Sequence, residues 1–171
     1  LDQRNWGLNP TVLTPPLTPQ PGGPADRKYV FVNVDVDNNA VLDGFIITGS
    51  KSSSAMTNSH SSPTITNVVF TTNYAAIGGA MYNSNSSPVL VNVIFEDNSA
   101  QDMGGAIYNS NSSPSIISTI FFKNKAFKSS PRDGSCGCGG AIASFGNSAP
   151  VVTNAVFVDN SATGASSPFM Y

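Results

Sequence analysis

One phrase is said several times along the chain, and few folds accept a sequence of that kind. Residues 76–100 read AIGGAMYNSNSSPVLVNVIFEDNSA, residues 102–124 read DMGGAIYNSNSSPSIISTIFFKN, and residues 139–162 read GGAIASFGNSAPVVTNAVFVDNSA. A weaker copy, AMTNSHSSPTITNVVFTTN, occupies 55–73. Three landmarks keep step: Pro63, Pro88, Pro114 and Pro150; Phe70, Phe95, Phe121 and Phe157; Asn73, Asn98, Asn124 and Asn160. Each series advances by 25, then 26, then 36 residues, so the last interval holds an insertion, placed at 125–138. A period in this range marks a solenoid, whose single repeat cannot bury its apolar face until a neighbour stacks on it.

Inside the repeat, Thr64–Phe70, Val89–Phe95, Ser115–Phe121 and Val151–Phe157 are short runs rich in Val, Ile and Thr, preceded by Ser-Pro or Ala-Pro. That is strand chemistry with turn punctuation, and no window carries a competing helical period. Two or three short strands per unit of this length close one rung of a parallel β-helix, and rungs stack about 4.8 Å apart. Equivalent residues then form columns. The four phenylalanines are expected to stack inward, with Ile46 in their place one rung earlier. The four asparagines are expected to form a corner ladder, since Asn tolerates left-handed backbone angles.

GGAM at Gly78–Met81 and GGAI at Gly104–Ile107 and Gly139–Ile142 alternate with FTTN, FEDN, FFKN and FVDN. These resemble the GGA(I/L/V) and FxxN repeats of polymorphic outer-membrane proteins and related autotransporter-like surface proteins. LDGFIITGS at Leu42–Ser50 resembles the rung that opens many secreted β-helix proteins of the pectate-lyase-like superfamily. The resemblance covers roughly residues 28–165. It implies an all-β, right-handed parallel β-helix of five to six rungs, extracellular or at the cell surface. It implies no single activity, because that superfamily holds adhesins, stalks, lyases and glycosidases alike.

Composition bounds the partners. Charged residues are 11% of the chain, and 8 Lys and Arg against 10 Asp and Glu leave a net charge of −2. Nothing there matches a phosphate backbone, so nucleic acid is not an expected partner. No run of 18 apolar residues is present, so no spanning helix is expected in this stretch. The chain shows no signal peptide or initiator Met, and reads as a processed product or a piece of a longer one. Two regions are expected: a Pro-rich segment over 1–27, capping or inter-subunit, and a β-helix over 28–171. In the first, Thr11–Leu13 reads as a short strand by the first rung and Thr14–Pro24 as an extended loop, with a flexible linker as the alternative.

Candidate chemistry is sparse. Asp35, Asp37 and Asp43 are the acidic group that a calcium ion would want, or simply solvated strand residues. Lys123 falls between Asp97 and Asp159 on neighbouring rungs, an arrangement read as cross-strand ion pairing. The recurring NSNSSP is read first as turn chemistry, and alternatively as a glycosylated or glycan-contacting stripe, since Asn85 and Asn111 open sequons. Cys136 and Cys138, separated by Gly137, suit a local disulfide or two free thiols, but not a metal site. The remaining acids are scattered, and His60 sits in a Ser-rich bend, so no catalytic set and no cofactor is expected.

The chain is therefore expected to be a non-catalytic extracellular structural protein: a stalk, an adhesin-like passenger or a filament subunit. Its expected partner is itself, head to tail, through Trp6, Leu13, Phe169, Met170 and Tyr171, with surface glycans as a further class. The rival reading is a polysaccharide lyase, glycosidase or glycan-binding module.

Overall fold

Each repeat bends into four strands because left-handed backbone angles recur at four places in it. In the repeat beginning at Met81 the strands are Met81–Ser84, Val89–Val91, Ile94–Glu96 and Ser99–Met103. The corners between them fall at Asn85 (φ 48°), Asn92 (φ 54°), Asp97 (φ 50°) and Gly104 (φ 67°), residue types that enter this region at low cost. The runs read as single strands, such as Thr64–Phe70, are thus two strands broken at a corner: Thr64–Thr66 and Val69–Thr71 about Asn67. Ala40–Thr48 is broken in the same way by Gly44 (φ 74°).

The computed structural model describes residues 10–16, 18–20, 23–26, 29–128 and 136–164, and these form an all-β parallel solenoid without a helix. Four parallel sheets of six, four, five and five strands run along it, with one strand per sheet from each successive turn. Four turns carry all four strands, a smaller number than the five to six rungs expected. An earlier turn supplies Phe31–Val34, Val41–Asp43 and Phe45–Thr48, and Thr11–Leu13 pairs in parallel with Phe45–Thr48. The Pro-rich stretch is more than an extended loop, because Thr18–Gln20 and Gly23–Asp26 pair as antiparallel strands.

Register is strict. Phe70, Phe95, Phe121 and Phe157 are direct partners in one sheet, and their rings stack with centroids 5.0, 5.0 and 4.7 Å apart and planes within 6°. Ile47, not Ile46, precedes Phe70 in this column, with Leu13 before it: Ile47 pairs with Phe70 and Leu13 with Ile47, whereas Ile46 pairs with outward-facing Val69. The preceding turn is only 23 residues long here, as Ser50 opposite Asn73 shows, which moves the inward position by one. Met56, Met81, Ile107 and Ile142 make a second buried column, and Ile65, Leu90 and Ile116 a third.

The GGA motif is a corner with two distinct requirements. Gly78, Gly104 and Gly139 hold positive φ. Their neighbours Gly79 and Gly105 lie against the next turn, where a Cβ would run into the carbonyl oxygens of Gly105 and Gly140 respectively. Ala80, Ala106 and Ala141 then seat fully inside.

Candidate functional site

Polar side chains are the unusual content of this interior, and they are organised as ladders. Asn98 is fully buried; its amide donates to Phe70 O (2.9 Å) and Asn124 Oδ1 (3.0 Å), while its Oδ1 accepts from Asn73 N (3.2 Å) and Asn73 Nδ2 (3.0 Å). Asn124 repeats the pattern with Asn160, and Ser50 closes the run above Asn73. The left-handed residue is the one before each Asn: Thr72, Asp97, Lys123 and Asp159. The asparagines therefore sit just past the corner and point inward, which differs from the expected corner role.

A second ladder was hidden in NSNSSP. Its first Asn is interior: Asn33 bonds Asn58 (2.8 Å), Asn58 bonds Asn83 (2.8 Å), Asn83 bonds Asn109 (2.9 Å) and Asn109 bonds Ser144 Oγ (3.2 Å). Two residues beyond Ser84, buried Ser86 accepts from Ser61 N and its own N–H reaches Ser112 Oγ, both at 2.9 Å. Only parts of the expected surface stripe are thus on the surface. The sequon residues Asn85 and Asn111 are exposed at positive φ, and Asn111 Oδ1 accepts from Asn147 N at 3.1 Å. No buried side-chain nitrogen or oxygen among the described residues lacks a partner.

The acidic group is not assembled. Asp35 is a corner residue (φ 53°), Asp37 accepts from Asn39 N (3.0 Å) and Asn39 Nδ2 (2.9 Å), and Asp43 accepts from Asn67 Nδ2 (2.8 Å). Among the described residues no three His, Cys, Asp or Glu side chains converge as metal ligands. Lys123 does not bridge Asp97 and Asp159; its ammonium lies 4.6 Å from the Phe122 ring centroid. His60 is an exposed corner (φ 49°) with Ser59 Oγ 3.3 Å from Nδ1.

At the edge of the insertion Cys136 and Cys138 are joined by a disulfide with Cα atoms 5.2 Å apart. The Asp102 carboxylate accepts from the N–H groups of Cys136 and Gly137 there. Leu13 packs against the core. Trp6, Phe169, Met170 and Tyr171 lie outside the described residues.

The outer surface carries two grooves that sequence reasoning missed. One, of about 260 Å³, lies between the Ser52–Ser54 bend and the outward residues Thr57 and Tyr82, with Tyr29 at its border. The Tyr82 ring stacks on Tyr108 (5.5 Å between centroids, 11° between planes). Burial, then the charges on Tyr82 and Asp102, raise the Tyr108 phenol above its ordinary value of 10.0. The other groove, about 410 Å³, is bordered by Lys51, Tyr74, Asp97 and Ser99, and burial likewise raises the Tyr74 phenol. Only register, carrying Tyr82 onto both Tyr108 and Thr57, would have revealed the first groove.

Comparison with known proteins gives one match. Residues 92–110, which include Phe95, Asn98 and the Gly104–Ile107 corner, match the Chlamydia polymorphic membrane protein repeat. No curated protein and no solved structure matches the chain. The repeat implies an outer-membrane or cell-surface setting, and together with the parallel solenoid it fits a β-helix surface protein of the polymorphic-membrane-protein and autotransporter-passenger type.

Proposed function

We propose that the chain is a non-catalytic rod displayed at the cell surface, adhesin-like in its role. The observation that carries this reading is the continuity of the ladders: Ser50 to Asn160 and Asn33 to Ser144 commit the interior polar groups to stiffness from turn to turn. A polysaccharide lyase or glycosidase needs carboxylates facing one another across a groove. Among the described residues that border these grooves, Asp97 is the single carboxylate. The test is surface labelling: a membrane-impermeant amine reagent reaches the exposed Lys51 and Lys123 on intact cells carrying the protein. Labelling only after lysis contradicts the reading.

A second reading, end-to-end assembly, has its own observation. The first turn leaves a cavity of about 150 Å³ bordered by Phe31, Val41, Leu42, Met56 and Ile65. An apolar cross-section of this kind suits stacking by a further turn, from the same chain or from a second copy. Electron microscopy of the purified protein tests it: fibres support assembly, and discrete short particles at high concentration oppose it.

A further inference from the structure

We propose that the groove between the Ser52–Ser54 bend and Tyr82 binds the end of a neutral glycan, one or two pyranose units long. This deepens the adhesin-like reading and rests on it.

Column register supplies the first argument. Tyr108 and Tyr82 are direct partners in adjacent turns and their rings stack, but the next position in the same column is Thr57. The ring stack therefore stops at Tyr82, whose other face looks toward a much smaller side chain. A pyranose laid there continues the stack, with its C–H face on the Tyr82 ring and its hydroxyls at the rim. Tyrosine suits this because it joins a broad apolar face to a polar tip.

The walls supply the second. Ser53, Thr57 and Tyr29 border the groove, and a hydroxyl both donates and accepts, as a sugar hydroxyl does. Among the described residues no charged side chain lines it, which suits an uncharged ligand. Ser54 is already committed, donating to Ile77 O at 3.0 Å, and it holds the bend in place rather than meeting ligand. Size supplies the third: about 260 Å³ lies just under the lower end of small-molecule sites, about 300 Å³, which limits the occupant to a glycan terminus.

The test is saturation-transfer NMR with the intact protein and maltose, cellobiose, lactose and chitobiose, each at millimolar concentration. Ring-proton signals are expected from at least one disaccharide. Tyr82→Ala and, separately, Ser53→Leu, which fills the groove without touching the ring stack, are expected to weaken that binding at least tenfold. Phe145→Ala removes an aromatic that is 55% exposed elsewhere on the same sheet, and is expected to leave binding unchanged. Silence from all four sugars overturns the proposal, as does binding that survives both groove variants or falls equally in Phe145→Ala. A folded protein that ignores the sugars yet is labelled on intact cells removes the groove alone and leaves the displayed rod standing.

Discussion

Replacing Asn98 by alanine isolates what an interior ladder contributes. The side chain makes four bonds, and its removal takes away the oxygen that accepts from the Asn73 N–H inside the solenoid. A buried donor left unsatisfied costs about 1–3 kcal/mol, and each of the other lost bonds about 0.5–1.5 kcal/mol. Some of the latter is recovered, because Asn73 Nδ2 still donates to Ile47 O and Asn124 Oδ1 still accepts from Asn98 N. The expected loss is therefore about 3–5 kcal/mol. Ser87→Ala is the control: that side chain is exposed, lies outside the left-handed corners and accepts from Ser113 N at 3.0 Å, so its loss should cost about 1 kcal/mol or less. Urea unfolding followed by far-UV circular dichroism, with both variants on one protein stock, reads the difference. Equal midpoints for the two variants would refute the argument that the ladder is a principal support of the stacked turns.

Phe95→Ala should cost about 3–5 kcal/mol, because the ring is fully buried between two stacked partners, and Phe95→Leu clearly less; thermal melts order the two. Gly105→Ala should prevent folding outright, since its Cβ would meet the Gly140 carbonyl and come within 2.6 Å of Lys125 N, and soluble yield reads it. Thiol titration of the unfolded protein should find no free thiol before reduction and two after it. Spectrophotometric titration should show Tyr108 ionising above 10.0. The native state holds that proton more tightly than the unfolded chain does, so the associated stability is present in full below the unfolded value and is lost as pH rises through the native one.

What could be read beforehand and what could not follow from one distinction. Period and spacing survive in sequence, so the phenylalanine column, the asparagine series and the insertion were all visible as recurrences. Which of two neighbours turns the corner was not, because Asn98 suits left-handed angles as well as Asp97 does, and only the burial of its amide against Phe70 O decides between them. Thr72 at φ 56° shows the same override, a β-branched residue held in a region it disfavours by the turns above and below. Ile46 is one residue from the inward Ile47 because the 23-residue turn that joins Ile47 to Phe70 cannot be read from the 25- and 26-residue steps beyond it, and a slip of one residue exchanges inside for outside. NSNSSP looked like surface because its residue types are those of turns, yet Asn83 and Ser86 are interior, where each is paired with its copy in the next turn.

Stacking of like residues is tested most directly by spin labels on outward positions that share one column. Thr71, Glu96, Phe122 and Val158 occupy such a column in four successive turns. With one label fixed at position 71 and the second moved to 96, 122 and 158 in separate double variants, dipolar broadening should report separations growing by about 4.8 Å per turn. Separations that do not rise evenly with repeat number, or that jump by several times that step, would contradict the architecture.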